Sequence, residues 1–214
     1  MSANAPRSVK IGEDERGGWT SDRPSRPGET ERPPREPDVS VRGRVLAPSD
    51  RLRYSPGSLL LIACADHAAQ AKFCARVLEE QGALLSMDKV RGLLVGKVPA
   101  DAIEAKSQEL LDAAVAKRLA AGQSVVVALD TLAVEESKRY VMAAYRHKRP
   151  RHFILLEVPK AQVPEEDAAA LQELRTTLDQ GDLGAEGYAT SLRLGGASVG
   201  ELNRIVFRPP PAED

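Results

Sequence analysis

The run SLLLIACADHAAQAKFCAR, Ser58 to Arg76, decides how the rest of the chain is read. Its first half, Leu59-Leu60-Leu61-Ile62, is continuously apolar after the turn-forming pair Pro56-Gly57, which suits a strand buried on both faces of a parallel sheet. Its second half is amphipathic. Ala71, Cys74, Ala75 and Leu78 share one helical stripe, Asp66 is placed to cap the helix, and Gly82 sits past its end. A tight strand-to-helix connection of this kind is where α/β proteins hold phosphate, through backbone N–H groups at the helix N-terminus. Between Ala63 and Lys72 (ACADHAAQAK) there is no glycine. The functional reading turns on that corner.

Working outward, Ala83 to Met87 reads as a second short strand, and Asp88-Lys89-Val90-Arg91 opens a helical turn. A long helix follows from Asp101 to Ala121, with Leu110, Leu111, Ala114, Val115 and Leu119 on its inner side and Gly122 as its stop. Ser124 to Leu129 (SVVVAL) is a β-branched strand ending at Asp130. The next helix, Val134 to His147, carries Glu135 and Glu136 in its first turn and leads into Arg146 to Arg149, as the macrodipole prefers. His152 to Val158 (HFILLEV) is a fourth strand and Pro164 to Gln180 a surface helix; Gly187 to Leu194 and Val199 to Phe207 supply a last strand, a short helix and an edge segment. Strands alternating with helices at this spacing predict a three-layer α/β fold: a parallel sheet with helices on both faces and right-handed crossovers.

Ahead of this domain, assigned to residues 56–214, residues 1–55 are rich in proline, arginine and glutamate (RPSRPGETERPPREP) and lack apolar periodicity. Such a segment cannot bury enough surface to offset its chain entropy, so a disordered arm is expected. Within it Val39 to Val45 (VSVRGRV) alternates like a short edge strand. A net charge of −1 gives no global pull toward nucleic acid or an anionic membrane. Two cysteines, Cys64 and Cys74, are too few for a disulfide framework or a four-ligand metal site and read as buried thiols. The start has no apolar signal region, and no window approaches eighteen consecutive apolar residues, so a cytoplasmic protein is expected.

Taken together, LLLI and its helix, LLSMDKVRGLL, the helix ending KRLAAGQ, VVVALDTLAVEESKR, FILLEVP and the closing LGAEGYATSLRL with NRIVFRP resemble the P-loop kinase superfamily. Most similar are the kinase domains of bacterial polynucleotide kinase-phosphatases and their zeta-toxin-like relatives. The resemblance implies a P-loop NTPase-like sheet and a GxxxxGK(S/T) loop whose glycines let backbone N–H groups cradle phosphates, whose lysine reaches the β and γ oxygens and whose hydroxyl holds Mg²⁺. Ala63 to Lys72 stands where that loop belongs and lacks both the glycines and the Lys-Ser/Thr pair. Each lost charge-assisted bond to phosphate is worth about 1.5 to 3 kcal/mol, so losing several would take ATP from micromolar toward undetectable affinity.

Asp88 and Arg91 match the superfamily's Asp-x-x-Arg, which implies a general base for the acceptor hydroxyl and a clamp for the acceptor phosphate; an N-capping Asp88 paired with Arg91 explains the same residues structurally. Candidate nucleotide-binding residues are Asp66, Lys72 as a displaced lysine, and Asp130 at the end of a Walker-B-like strand, with helix capping as the competing role for Asp130. The segment EEDAAALQELRTTL, where these kinases carry phosphate-clamping arginines, supplies only Arg175. The cluster Arg146, His147, Lys148, Arg149, Arg151 and His152 is a candidate nucleic-acid patch, without interleaved aromatics. His67 stands alone near the corner and is read as structural, and no metal site is expected.

The expected function is a catalytically degenerate P-loop kinase-like domain acting as a binding or regulatory module, without a cofactor, whose partner is another protein or a nucleic-acid end, and with no membrane role. One alternative is an active ATP- and Mg-dependent polynucleotide or small-molecule kinase. Another is a degenerate response-regulator receiver, which LLLIACADHAAQAKFCARVLEEQGALL also resembles. Strand order separates them: about 2-1-3-4-5 for a receiver, against a kinase sheet in which the second strand is not the neighbour of the first.

Overall fold

The structure, a computed structural model, describes residues 51–180 and 187–209. Its centre is a parallel sheet of five strands: β2 (Leu59–Cys64), β3 (Leu84–Ser86), β4 (Val125–Ala128), β5 (Arg151–Leu156) and β6 (Thr190–Leu194). They lie in the order β3-β4-β2-β5-β6. β2 is central, pairing Leu59 with Val125 on one side and with Arg151 on the other. The next strand in the chain, β3, does not touch β2; it sits outside β4. That order is the one expected of a P-loop kinase-like sheet and excludes the receiver arrangement.

A second, two-stranded parallel sheet joins β1 (Arg51–Tyr54) to β7 (Arg204–Phe207). β1 corrects the sequence reading, which gave residues 51–54 to the arm: Leu52 and Tyr54 turn inward while Arg51 and Arg53 stay exposed. The alternation is clear, but two apolar residues among arginines leave little signal. Residues 1–50 of the expected arm, with Val39 to Val45, lie outside the described residues.

The helices are α1 (His67–Val77), α2 (Met87–Leu94), α3 (Ile103–Ala120), α4 (Val134–Arg146), α5 (Ala168–Gln180) and α6 (Ala197–Glu201). Because successive residues of a strand point to opposite faces, each strand feeds two cores. Leu59, Leu61 and Ala63 of β2, with Val125 and Val127 of β4 and Phe153 and Leu155 of β5, pack against α2, α3, α4 and α5. Leu60, Ile62 and Cys64, with Val126, Ile154 and Leu156, pack against α1 and the β1-β7 pair. Both faces are covered, which is why the strands read as unbroken apolar runs.

α3 presents Leu111, Val115 and Leu119 to the sheet at strict four-residue spacing. Leu110, expected on the inner side, is 46% exposed, one helical step off that line. Gly57 leads into β2 with φ +77°, and a Cβ there would lie 2.9 Å from the Gly122 carbonyl oxygen. No helix among the described residues is long and apolar enough to cross a membrane.

Candidate functional site

All five strands of the central sheet run in parallel, so their carboxyl ends form one edge. There the chain places Asp88 after β3, Asp130 after β4, Asp66 after β2 and Glu157 after β5. Four carboxylates on one edge would repel unless they were partnered. Each has a partner within the protein.

Arg91 partners the first two. Its Nη1 donates to Asp130 Oδ1 at 3.0 Å and to Asp88 Oδ1 at 3.2 Å, and its Nη2 donates to Asp130 Oδ2 at 2.7 Å and to Glu104 Oε1 at 2.8 Å. Its Nε donates to Glu104 Oε2 at 2.9 Å. A guanidinium has five N–H donors, and these five bonds use all of them. The hydrogen bonds it donates to Glu104 and then to Asp130 raise the guanidinium's already high pKa further, and the bond accepted from Arg91 holds the Glu104 carboxyl below its ordinary range. Asp130 is set in place by the turn that follows β4. The buried Glu136 carboxylate, in the first turn of α4, accepts from the Asp130 N–H at 3.0 Å, the Thr131 N–H at 2.7 Å and the Thr131 hydroxyl at 2.8 Å.

Two expected caps are therefore reassigned. Asp130 does not cap α4, whose N-cap is Ala133; it answers Arg91. Asp88 does not cap α2, whose N-cap is Ser86, accepting from the Lys89 N–H at 3.3 Å; the expected pairing of Asp88 with Arg91 is present.

The corner after β2 is a connection of two residues, Ala65 and Asp66. Asp66 caps α1 as the sequence predicts, its Oδ1 accepting from the Ala69 N–H at 3.0 Å. None of the residues from Ala63 to Ala69 has a left-handed backbone. One turn into α1, the buried Gln70 places its amide between the ends of two strands, donating to the Ile62 carbonyl at 2.8 Å and the Leu129 carbonyl at 3.1 Å. Lys72 and His67 are exposed on α1. Cys64 and Cys74 are free and buried, and burial pushes the Cys74 thiol up to about 12.

At the other side of the edge Glu157 accepts from Arg175 of α5, Nε to Oε1 at 2.9 Å, and from Arg193 of β6, Nε to Oε1 at 2.5 Å. Arg193 also reaches Asp179 at 3.0 Å. Burial pushes the Glu157 carboxyl up, and the two arginines outweigh it, so its pKa is lowered. Arg175, the arginine that the α5 segment offered as a phosphate clamp, is thus bound to a strand-end carboxylate.

The basic cluster divides. His152 is buried on the β1 side of the sheet, stacked on Tyr54 with ring centroids 4.3 Å apart and its Nδ1 2.8 Å from Thr190 Oγ1. Arg149 turns inward, its Nε donating to the Leu119 carbonyl at the end of α3 at 3.1 Å. Arg146 and Lys148 are exposed, and half-buried Arg151 lies over the ring of Tyr145, 5.6 Å from its centroid. These residues occupy the amino edge of the sheet, opposite the carboxylates.

Glu104, Glu136, Glu157, Arg193 and Gln70 were not singled out in the sequence. Glu157 had a signal, since a carboxylate directly after HFILL stands at a strand's carboxyl end; Glu136 had a weaker one, in the first turn of its helix.

No protein-family model matches the chain, and no curated protein matches it in sequence. Among solved structures it is similar to a chain of the PezAT toxin-antitoxin system of Streptococcus pneumoniae, at 14% identity and TM-score 0.39 over 59% of this chain and 56% of that one. The alignment thus spans little more than half of the pneumococcal chain. It is also similar to a gluconokinase from Sinorhizobium meliloti (16% identity, TM-score 0.35, 70% of this chain and 90% of that one). A third similarity is to the tunicamycin resistance protein of Deinococcus radiodurans (13%, 0.38, 72% and 99%). These likenesses are slight. It is the chain's own strand order, with β3 outside β4 and β2 central, that makes the fold P-loop kinase-like.

Proposed function

We propose that this domain is a P-loop kinase-like scaffold that acts by binding another protein and not by transferring phosphate. The observation that carries the reading is the saturation of Arg91: with all five donors on Asp88, Glu104 and Asp130, it has none for an acceptor phosphate. Three further observations support it. The β2-α1 connection is two residues long without left-handed backbone, Asp66 brings a negative charge to the place where phosphates would sit, and Arg175 is engaged by Glu157. Asp66 already occupies an N–H at the α1 N-terminus. A protein partner is favoured by Leu93 and Val95, 63% and 67% exposed at the end of the helix that carries Asp88 and Arg91.

A second reading, an active kinase, has one observation in its favour. The Asp88 side chain is 72% exposed, and only its Oδ1 is tied to Arg91, so it could serve as a base at this edge. Incubation of the full chain with Mg²⁺, γ-labelled ATP and a 5′-hydroxyl oligonucleotide tests both. The scaffold reading expects no transfer of label. Transfer that Asp88→Asn abolishes would overturn it in favour of the kinase.

A further inference from the structure

From residue 137 to residue 156 the chain has no acidic residue and six Lys or Arg. In the fold this stretch covers most of α4, the turn after it and β5, and the turn stands at the amino edge of the sheet. The basic residues there do not form one patch, because strand alternation and a backbone contact remove two of the candidates. His152 faces the β1 side, and Arg149 is tied to α3. What remains exposed is organised around an aromatic ring that the sequence pattern did not bring forward.

Tyr145, in the last turn of α4, is 64% exposed, second only to Val95 among the large hydrophobic side chains of the described residues. Its ring is held from one side by the Arg151 guanidinium, which is itself anchored by donating from Nε to the Gly187 carbonyl. An aromatic ring steadied on one side and open to solvent is a stacking platform. Arg146 follows it directly, and Lys148 is set by a left-handed turn, φ +52°, the one positive φ at a non-glycine residue among those described. Both cations are exposed.

We infer that Tyr145, backed by Arg151 and flanked by Arg146 and Lys148, binds single-stranded nucleic acid, the ring stacking on an unpaired base and the two cations meeting the adjoining phosphates. An acidic peptide would use the cations but has no need of an exposed ring face, and duplex keeps its bases stacked on one another. The surface is not the carboxyl edge considered above. Six residues of β2 at about 3.3 Å each separate the two edges by ~20 Å, so it is independent of any chemistry at Asp88.

Fluorescence anisotropy of labelled single-stranded RNA and DNA 12-mers with the full chain tests this, the oligonucleotides carrying a blocked 5′ end so that an acceptor site at the carboxyl edge does not contribute. Saturable binding is expected. Tyr145→Ala should weaken it roughly five- to a hundred-fold and Tyr145→Phe should retain it, as base-aromatic stacking requires. Arg146→Ala with Lys148→Ala should reduce the slope of log affinity against log salt by about 1.4, the loss of two phosphate contacts on a single strand. Circular dichroism melts of each variant show whether the fold is intact; if Tyr145→Ala fails to fold, Tyr145→Leu, which keeps apolar bulk and helix propensity without a flat ring, and the cation pair carry the test. No binding at 50 mM salt (roughly the low end of the range where such contacts act) would overturn the inference. So would equal affinity in folded Tyr145→Ala, or equal binding of polyglutamate or duplex.

Discussion

Arg91 is the residue on which the carboxyl edge depends, and Arg91→Met is the most informative change in it. Methionine keeps much of the length of the side chain and removes the charge and all five donors. The two bonds to Asp130 are the sheltered ones, with side-chain exposures of 30% and 20% for the pair. After competition from water each contributes about 1 kcal/mol, so their loss costs ~2 kcal/mol. Asp88 and Glu104 are 72% and 65% exposed, and as surface partners they add little to that figure. For a chain of this size about 2 kcal/mol lowers the melting midpoint by roughly 4 to 8 °C. The assay is thermal unfolding at pH 7 and low salt, run as a cycle with Asp130→Asn. The double variant should recover part of the loss, because it relieves the carboxylate that Arg91→Met strands. Arg91→Lys should fall between, since a point charge cannot grip two carboxylates as a fork. A midpoint within 1 °C of the unaltered chain (about the limit of such melts, against the shift expected from) would refute the reasoning and leave Arg91 free for another role.

Other outcomes follow from the same geometry. Gln70→Leu removes the donor to the Leu129 carbonyl and one of two donors to the Ile62 carbonyl, which keeps the Leu129 N–H, and should cost about 1 to 3 kcal/mol in denaturant unfolding, with no change in the slope. Gly57→Ala meets both a positive φ and the Gly122 carbonyl at 2.9 Å, and should cost ~2 kcal/mol by the same measurement. The pH dependence should show two steps. Burial, then the charge of Arg151, holds His152 down at about 4, so the folded state keeps it neutral while the unfolded chain protonates near 6.5; stability falls as pH drops from about 6.5 toward about 4, and His152→Phe should flatten that step. Glu104 and Glu157 have lowered pKa values in the fold, so their contribution is present above the ordinary carboxylate range near 4.3 and is lost at lower pH. Glu157→Gln should reduce this second, acid step and leave the first unchanged.

The layers of the fold were legible in the sequence because strands buried on both sides announce themselves as unbroken apolar runs, as at Leu59-Leu60-Leu61-Ile62 and Val125-Val126-Val127. Even the strand order could be posed as a test before the sheet was seen. β1 was not legible, since two inward residues between arginines look like the charged segment before them. The site was legible only in its local parts. Asp66 as a cap and Asp88 with Arg91 are neighbours along one helix turn, so spacing finds them. Glu104 and Asp130 meet Arg91 from 13 and 39 residues away, and that meeting depends on how α2 and α3 cross toward the end of β4. The basic run Arg146 to His152 misled for the opposite reason. Its residues are adjacent in sequence, and β5 turns Arg151 toward α4 and His152 toward Tyr54.

The scaffold reading is tested most directly by thermal unfolding of the full chain with and without 1 mM ATP and Mg²⁺, where a dissociation constant of about 10 μM would add about 2.7 kcal/mol and raise the midpoint by roughly 5 to 10 °C. The account predicts a midpoint that nucleotide does not move. A rise of that size, lost in Lys72→Ala, would contradict it and return the β2-α1 corner to the nucleotide-binding sites.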